Sequence, residues 1–206
     1  MKRLAGPHHY MDDRSRSAVL GPRLASPPRA EDGPTVTSRL VDTALVRTAS
    51  DPRWTVTCVE YPYGVVRLER KARLTQIVVG DHVGSSESLQ RGESFAAAAC
   101  TADGELLVAV RAAPPAIVVN RHACRTRPCD GAAHDTEFPA AGERLILLSC
   151  AVFEAVPDVL VDGVNGVASG RLTTQDPESL LIDLVGAAAC GAGVIVDHHP
   201  WVGSGP

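Results

Sequence analysis

Apolar residues in this chain come in short blocks, four to eight long, set apart by Gly, Pro and Asp, with few stripes of helical period. Blocks of that length bounded by turn residues read as strands. They begin at Thr35–Val46 and continue through Trp54–Val59, Val65–Leu68 and Leu74–Val79. Phe95–Cys100 and Leu106–Val110 flank Ala102-Asp103-Gly104, and Asp-Gly between two apolar runs predicts a hairpin. Ala116–Val119 and Leu145–Ser149 extend the series, and Gly193–Val196 reads as a last strand. One segment has a clear helical period. In Glu178–Ala189, Leu181, Leu184, Val185 and Ala188 form one stripe, Asp176 is placed to cap, and Pro177 suits the first helical position. Gly191 then stops the helix. The pattern predicts an α+β protein of stacked antiparallel sheets.

Residues 1–33 break the pattern. They are rich in Arg, Pro, Ser and Ala, and read as a flexible lead-in with one short helix around Arg14–Leu20. The expected layout is a lead-in at 1–33, one domain at 34–199 and a tail at 200–206. At 206 residues with 45% hydrophobic and only 4% aromatic content, the core must come from Val, Leu, Ile and Ala. A net charge of -4 gives no electrostatic argument for nucleic acid or anionic membrane. The longest uncharged apolar run, Leu184–Val196, falls short of the roughly 20 residues a membrane span needs, and no apolar signal region follows Lys2-Arg3. The expectation is a soluble, cytoplasmic protein. Two Lys among 20 basic residues, with abundant Ala, Gly, Val and Pro, fits a high-GC bacterial genome.

Residues 98–158 carry a resemblance. The hairpin ACTADGELLVAV, then RAAPPAIVV, a spacer and GERLILLSCAVFEAVPD, resemble the second half of bacterial SpoIIE/RsbU-type phosphatases of the metal-dependent PPM class. Upstream, Val19–Leu24 resembles the entry segment of that family, and Thr35–Asp42 its first strand. Val78-Val79-Gly80-Asp81-His82-Val83-Gly84-Ser85-Ser86 resembles its VIGDVSGKG, with Asp81 and Gly84 matching. The resemblance implies a PPM-like α-β-β-α sandwich. Its helical layer is reduced, because Ser85–Ser94 stands where the family carries two long helices.

The resemblance also implies a site of two Mg²⁺ or Mn²⁺ ions held by carboxylates, which acidify a water for attack on phosphorus. Here the pattern departs. The metal-binding Asp-Gly becomes Cys150-Ala151, although Glu154 is kept. Tyr61-Pro62-Tyr63-Gly64 lacks the acid of the GGDWYD-like motif, and Arg111-Ala112-Ala113 replaces AGH before Pro114-Pro115. Hard cations want oxygen, and thiol or methyl in place of a carboxylate removes charge as well as a ligand. Asp81 is the residual metal residue, with Asp197 the nearest candidate for the Asp-Asp ahead of the last strand.

This reading is of a catalytically impaired module with no cofactor. It would bind a regulatory protein such as a STAS-type antagonist or anti-sigma kinase, in bacterial sigma-factor control by partner switching. A sheet face stripped of helices would be covered by a homodimer or a partner. One alternative is a live Mn/Mg-dependent serine/threonine phosphatase using Asp81, Asp197 and Asp158 or Asp162. Another is an unrelated zinc-stabilised protein, with His122, Cys124, Cys129 and His134 as tetrahedral ligands at non-standard spacing. Cys150, at the end of an apolar strand, reads as an inert thiol. His8-His9 and His198-His199 read as incidental pairs, and Asp162–Gly166 as a turn. Six cysteines are too sparse for a disulfide scaffold.

Overall fold

The computed structural model describes residues 36–71, 74–81, 94–128, 133–137, 139–156 and 170–200. The lead-in, the tail from 201, Cys129 and the acids at 158 and 162 lie outside these residues.

Among the described residues, twelve strands build two stacked antiparallel sheets. β1 (Val36–Val41), β2 (Ala44–Ser50), β3 (Trp54–Glu60), β8 (Ala116–Val119), β9 (Cys124–Arg127), β11 (Arg144–Leu148) and β12 (Ala192–His198) form a seven-stranded sheet in the order β1-β2-β3-β12-β11-β8-β9. β4 (Gly64–Lys71), β5 (Leu74–Asp81), β6 (Phe95–Thr101), β7 (Leu106–Arg111) and β10 (His134–Glu137) form a five-stranded sheet in the order β10-β7-β6-β5-β4. Three helices are described: α1 (Cys150–Ala155), α2 (Gly170–Thr174) and α3 (Pro177–Ala188).

Burial explains the texture of the strands. The centre of the seven-stranded sheet is covered on both faces, so β8, β11 and most of β12 are buried at consecutive positions, matching the unbroken runs Ala-Ile-Val-Val and Leu-Ile-Leu-Leu. β5 and β6 alternate, with one face inward. Trp54, Val56, Cys58, Ile77, Val79, Cys100, Val108, Leu147 and Val194 fill the space between the sheets. Val46, Val59, Ile146 and Ile195, on the other face of the seven-stranded sheet, pack against Val152, Leu172, Leu180, Leu181, Leu184 and Val185 of the helices. Among the described residues, nothing covers the outer face of the five-stranded sheet. Val78, Ala97, Ala99, Leu107 and Ala109, with Arg67, Glu69 and Gln76, line a depression of 420 Å³ there.

The block expected as one strand at Thr35–Val46 folds as a hairpin. Asp42 takes a left-handed φ of 52°, which Asp tolerates, and the chain reverses between Val41 and Ala44. The Asp-Gly hairpin is where the sequence puts it. Thr101 N–H donates to Glu105 O at 2.9 Å, Gly104 sits at φ 93°, and the Trp54 indole donates to Thr101 O at 2.9 Å. Asp176 caps α3 by accepting from Ser179 N–H at 3.0 Å, with Pro177 at the first helical position. The left-handed residue that ends the helix is Ala189, not Gly191.

Candidate functional site

Four segments converge at one end of the sandwich. β5 ends on Asp81, directly opposite Gly64 at the start of β4. The turn from β3 into β4 hydrogen-bonds the approach to β12: Tyr61 N–H donates to Gly191 O at 2.9 Å, and Gly191 N–H to Pro62 O at 3.1 Å. Ser149 lies between β11 and α1; its N–H donates to Ala192 O at 2.9 Å and its hydroxyl accepts from Ala192 N–H at 3.1 Å. The crossing is too tight for side chains. A Cβ on Gly64 would lie 2.0 Å from the Gly191 carbonyl carbon, and one on Gly191 would lie 2.5 Å from Ser149 Oγ and 3.3 Å from Asp81 Oδ1. Gly191 also holds φ 88°, a region that disfavours any Cβ.

The Asp81 carboxylate points into this crossing. Oδ2 accepts from Ala151 N–H, the second residue of α1, at 3.2 Å. Oδ1 is buried beside Gly191 and has no partner. Cys150 sits alongside, its Sγ 3.1 Å from Ser94 Oγ and 3.7 Å from Ala112 O. The segments that the family resemblance names, Tyr61–Gly64, Asp81 and Cys150-Ala151, therefore meet at one place.

Asp197 does not join them. β12 begins at Ala192, so the residues directly ahead of the last strand are Cys190 and Gly191, and Asp197 lies inside it. Asp197 lies six positions beyond Gly191 along the strand, a span of about 20 Å. Its carboxylate is bound instead by Arg144, at 2.7 Å to Nε and 3.3 Å to Nη2, while Arg144 Nη1 donates to Leu172 O and Gln175 O, both at 2.9 Å, at the end of α2. Asp197 thus anchors a helix to the sheet. The missing signal was the offset of the strand: Gly191 looked like a helix stop, and its contact with Asp81 has no signature in the sequence.

Three of the four candidate zinc ligands are described, and those three are spread out. His122 is exposed in the β8–β9 turn, its N–H bonded to Asn120 Oδ1 at 2.7 Å. Cys124, on β9, packs against the helix-side core, and burial raises its thiol pKa. His134 lies on β10, in the other sheet. His199 Nε2 is 2.7 Å from Thr55 Oγ1, and His198 stacks on Trp54 at 4.6 Å, so that pair is used in packing.

Among the described residues, no group of three or more His, Cys, Asp or Glu is placed to hold a metal ion. Hard divalent ions take six or more ligands, mostly oxygen. The described centre offers one carboxylate, with one oxygen already engaged, beside a thiol, a hydroxyl and backbone. This set does not fit a pair of Mg²⁺ or Mn²⁺ ions.

No protein-family model matches the chain, and no curated protein matches it significantly. Solved structures do. The RsbU and RsbW domains of a Mycobacterium tuberculosis protein superpose with TM-score 0.53 at 14% identity, over 72% of this chain and 62% of that one. The phosphatase domain of SpoIIE from Bacillus subtilis superposes with TM-score 0.51 at 13% identity, over 75% of this chain and 97% of that one. A second SpoIIE structure, its PP2C phosphatase domain with a fragment of the regulatory domain, gives TM-score 0.53 at 12% identity, over 82% and 71%. The chain has the PPM-type (PP2C-like) phosphatase fold with reduced helical content. No helix among the described residues is long and apolar enough to cross a membrane.

Proposed function

We propose that this chain is a SpoIIE/RsbU-like phosphatase-fold module that acts by binding a regulatory protein, without ordinary two-metal hydrolysis. The observation that carries this reading is the Ala151 N–H on Asp81 Oδ2. The carboxylate is tied into the protein by the backbone of the helix whose first residue, Cys150, stands where the resemblance expects a metal-binding Asp. A backbone N–H satisfies one lone pair and contributes no charge, so the pocket has lost the anionic field that gathers two divalent ions. The partners in this reading are those of partner switching in sigma-factor control: a STAS-type antagonist in its phosphorylated form, or the kinase acting on it. The module would hold such a protein, or compete with an active phosphatase for it, without turning it over.

One observation favours the alternative of a live enzyme. Asp81 Oδ1 is buried and unpartnered, and a cation would satisfy it. Calorimetric titration of the full chain with Mn²⁺, with Asp81→Asn as control and phosphopeptide hydrolysis in the same buffer, separates the two. The binding-module reading expects no saturable Mn²⁺ heat at millimolar metal and no Mn²⁺-dependent turnover. Two tight sites lost in Asp81→Asn, together with turnover, would replace it by the metal-dependent phosphatase.

A further inference from the structure

Two tyrosines flank Pro62 in the turn from β3 into β4, and packing accounts for only one of them. Tyr61 is half-buried against the helix-side core, its hydroxyl 3.4 Å from where a Cβ on Gly186 of α3 would lie. Tyr63 is 73% exposed. Among the described residues it is the most exposed of the large apolar side chains and the only aromatic one of them.

The backbone makes this placement costly. Gly64 N–H donates to Tyr61 O at 3.0 Å, closing a four-residue turn with Pro62 second and Tyr63 third. Proline holds the second position at negative φ and Tyr63 stands at φ 67°, so the turn is type II. The third position of that turn suits Gly or Asn, because a Cβ crowds the backbone at positive φ. The other non-glycine residues of left-handed φ among the described residues are mild cases. Asp42 is of a type that tolerates it, and Ala112 and Ala189 carry a methyl alone. The conformation of Tyr63 is imposed by its surroundings. Tyr61 N–H and Pro62 O are both bonded to Gly191, and a Cβ on Gly64 would stand 2.0 Å from the Gly191 carbonyl carbon. The turn cannot relax without undoing the crossing that also places Asp81, the partner of Gly64 in the sheet. The crossing explains the conformation but not the tyrosine, since Gly or Asn would adopt it at less cost. Strain of this kind, in a side chain that packs on little, is concentrated at ligand-binding sites.

We propose that Tyr63 is the anchor with which this end of the sandwich holds its protein partner; the assignment rests on the reading of the chain as a binding module. A tyrosine suits the role. Its ring is a rigid apolar face with few torsions to order, its hydroxyl adds a hydrogen bond at the tip, and tyrosines are enriched among the residues that dominate interface energies. The turn beneath it is locked to Gly191, so little backbone freedom is lost on binding. The partner that fits is a folded protein with an apolar recess and a polar group at its floor. An added strand does not fit. The Tyr61 N–H and C=O, the Pro62 C=O and the Gly64 N–H are already bonded within the turn or to Gly191, which leaves no ladder of backbone groups to extend.

Stability and binding measured on the same full-length variants test this: Tyr63→Gly, Tyr63→Asn and Tyr63→Phe. Melts are followed by circular dichroism. Binding is followed by calorimetric titration with a STAS-type antagonist, in phosphoserine and unmodified forms, and with the kinase that phosphorylates it. Tyr63→Gly and Tyr63→Asn should melt about 2–4 °C above the wild type, because they release the strain. They should also bind the partner at least about thirtyfold more weakly, because they remove the anchor. Tyr63→Phe should keep the wild-type melting temperature and most of the affinity. A melting temperature that falls in Tyr63→Gly would make the side chain a structural one and overturn the proposal. Undiminished binding by Tyr63→Gly would overturn it too, while leaving the binding-module reading intact. A wild type that binds none of the three probes overturns both together.

Discussion

Glu143 shows how an apparently ordinary surface acid can be structural. It is buried, and its carboxylate accepts from both terminal nitrogens of Arg125 at 2.7 Å, from Asn120 Nδ2 at 2.7 Å and from Ala140 N–H at 2.8 Å. The Arg125 guanidinium, helped by the Ala140 N–H and the Asn120 amide, holds its pKa below the usual carboxylate range against the opposing effect of burial. A depressed carboxylate contributes stability that is complete above its unfolded value, about 4.3, and is lost as pH falls through the lower folded value. Urea melts of the wild type should therefore give a stability that drops below about pH 4.3, and Arg125→Ala should flatten that part of the profile. Arg125→Ala should also cost about 2–4 kcal/mol near neutral pH, since it strands a buried charge. A pH profile unchanged by the substitution would show that Glu143 is not the group responsible. None of this was legible in the sequence. Gly142-Glu143-Arg144 matched a family frame, and that frame says nothing about what the acid touches. Asp81 was legible only through the resemblance, because Val78-Val79-Gly80-Asp81 stands where that family has VIGD.

At the scale of elements, apolar blocks and turn residues located most of the strands and the long helix. They missed those whose reason for existing lies elsewhere in the chain. β9 and β10 are four polar-rich residues each and exist by pairing with β8 and β7. α1 follows β11 without a break in texture, because Val152 faces the same core as Leu148. Asp197 was misplaced by a similar blindness: a strand's first residue is set by what it crosses, and β12 begins where Gly191 clears the β3–β4 turn. That crossing is the element most exposed to a single change. Gly191→Ala puts a Cβ within 2.5 Å of Ser149 Oγ and 2.9 Å of Val152 Cγ2, at a φ of 88°. Strain of the backbone and displacement of α1 should together cost at least about 2 kcal/mol in thermal or urea unfolding. Gly142→Ala, also at positive φ but with nothing within 4 Å of the added carbon, isolates the backbone part and should cost less. Equal losses would mean that the crossing has room to yield.

At the scale of the molecule, the described residues form a sandwich with one continuous core between its sheets, and two cysteines report on that core from opposite sides. Cys58 enters it from β3 of the seven-stranded sheet and Cys100 from β6 of the five-stranded one. Burial pushes the Cys58 thiol up to about 12 and raises Cys100 further, so neither forms thiolate near neutral pH while the sheets stay together. Their surroundings belong to different sheets, yet neither sheet can expose its cysteine without losing the other's packing surface. Separation of the layers is therefore the common step. Thiol labelling at pH 8 in sub-denaturing urea, mapped by mass spectrometry, should give Cys58 and Cys100 the same opening free energy and the same urea dependence, equal to those of global unfolding. Cys150, half-buried on α1, should react at lower urea. A lower opening energy at Cys100 alone would mean that the five-stranded sheet opens by itself. In that case its outer face, uncovered among the described residues, would be the weak flank of the fold.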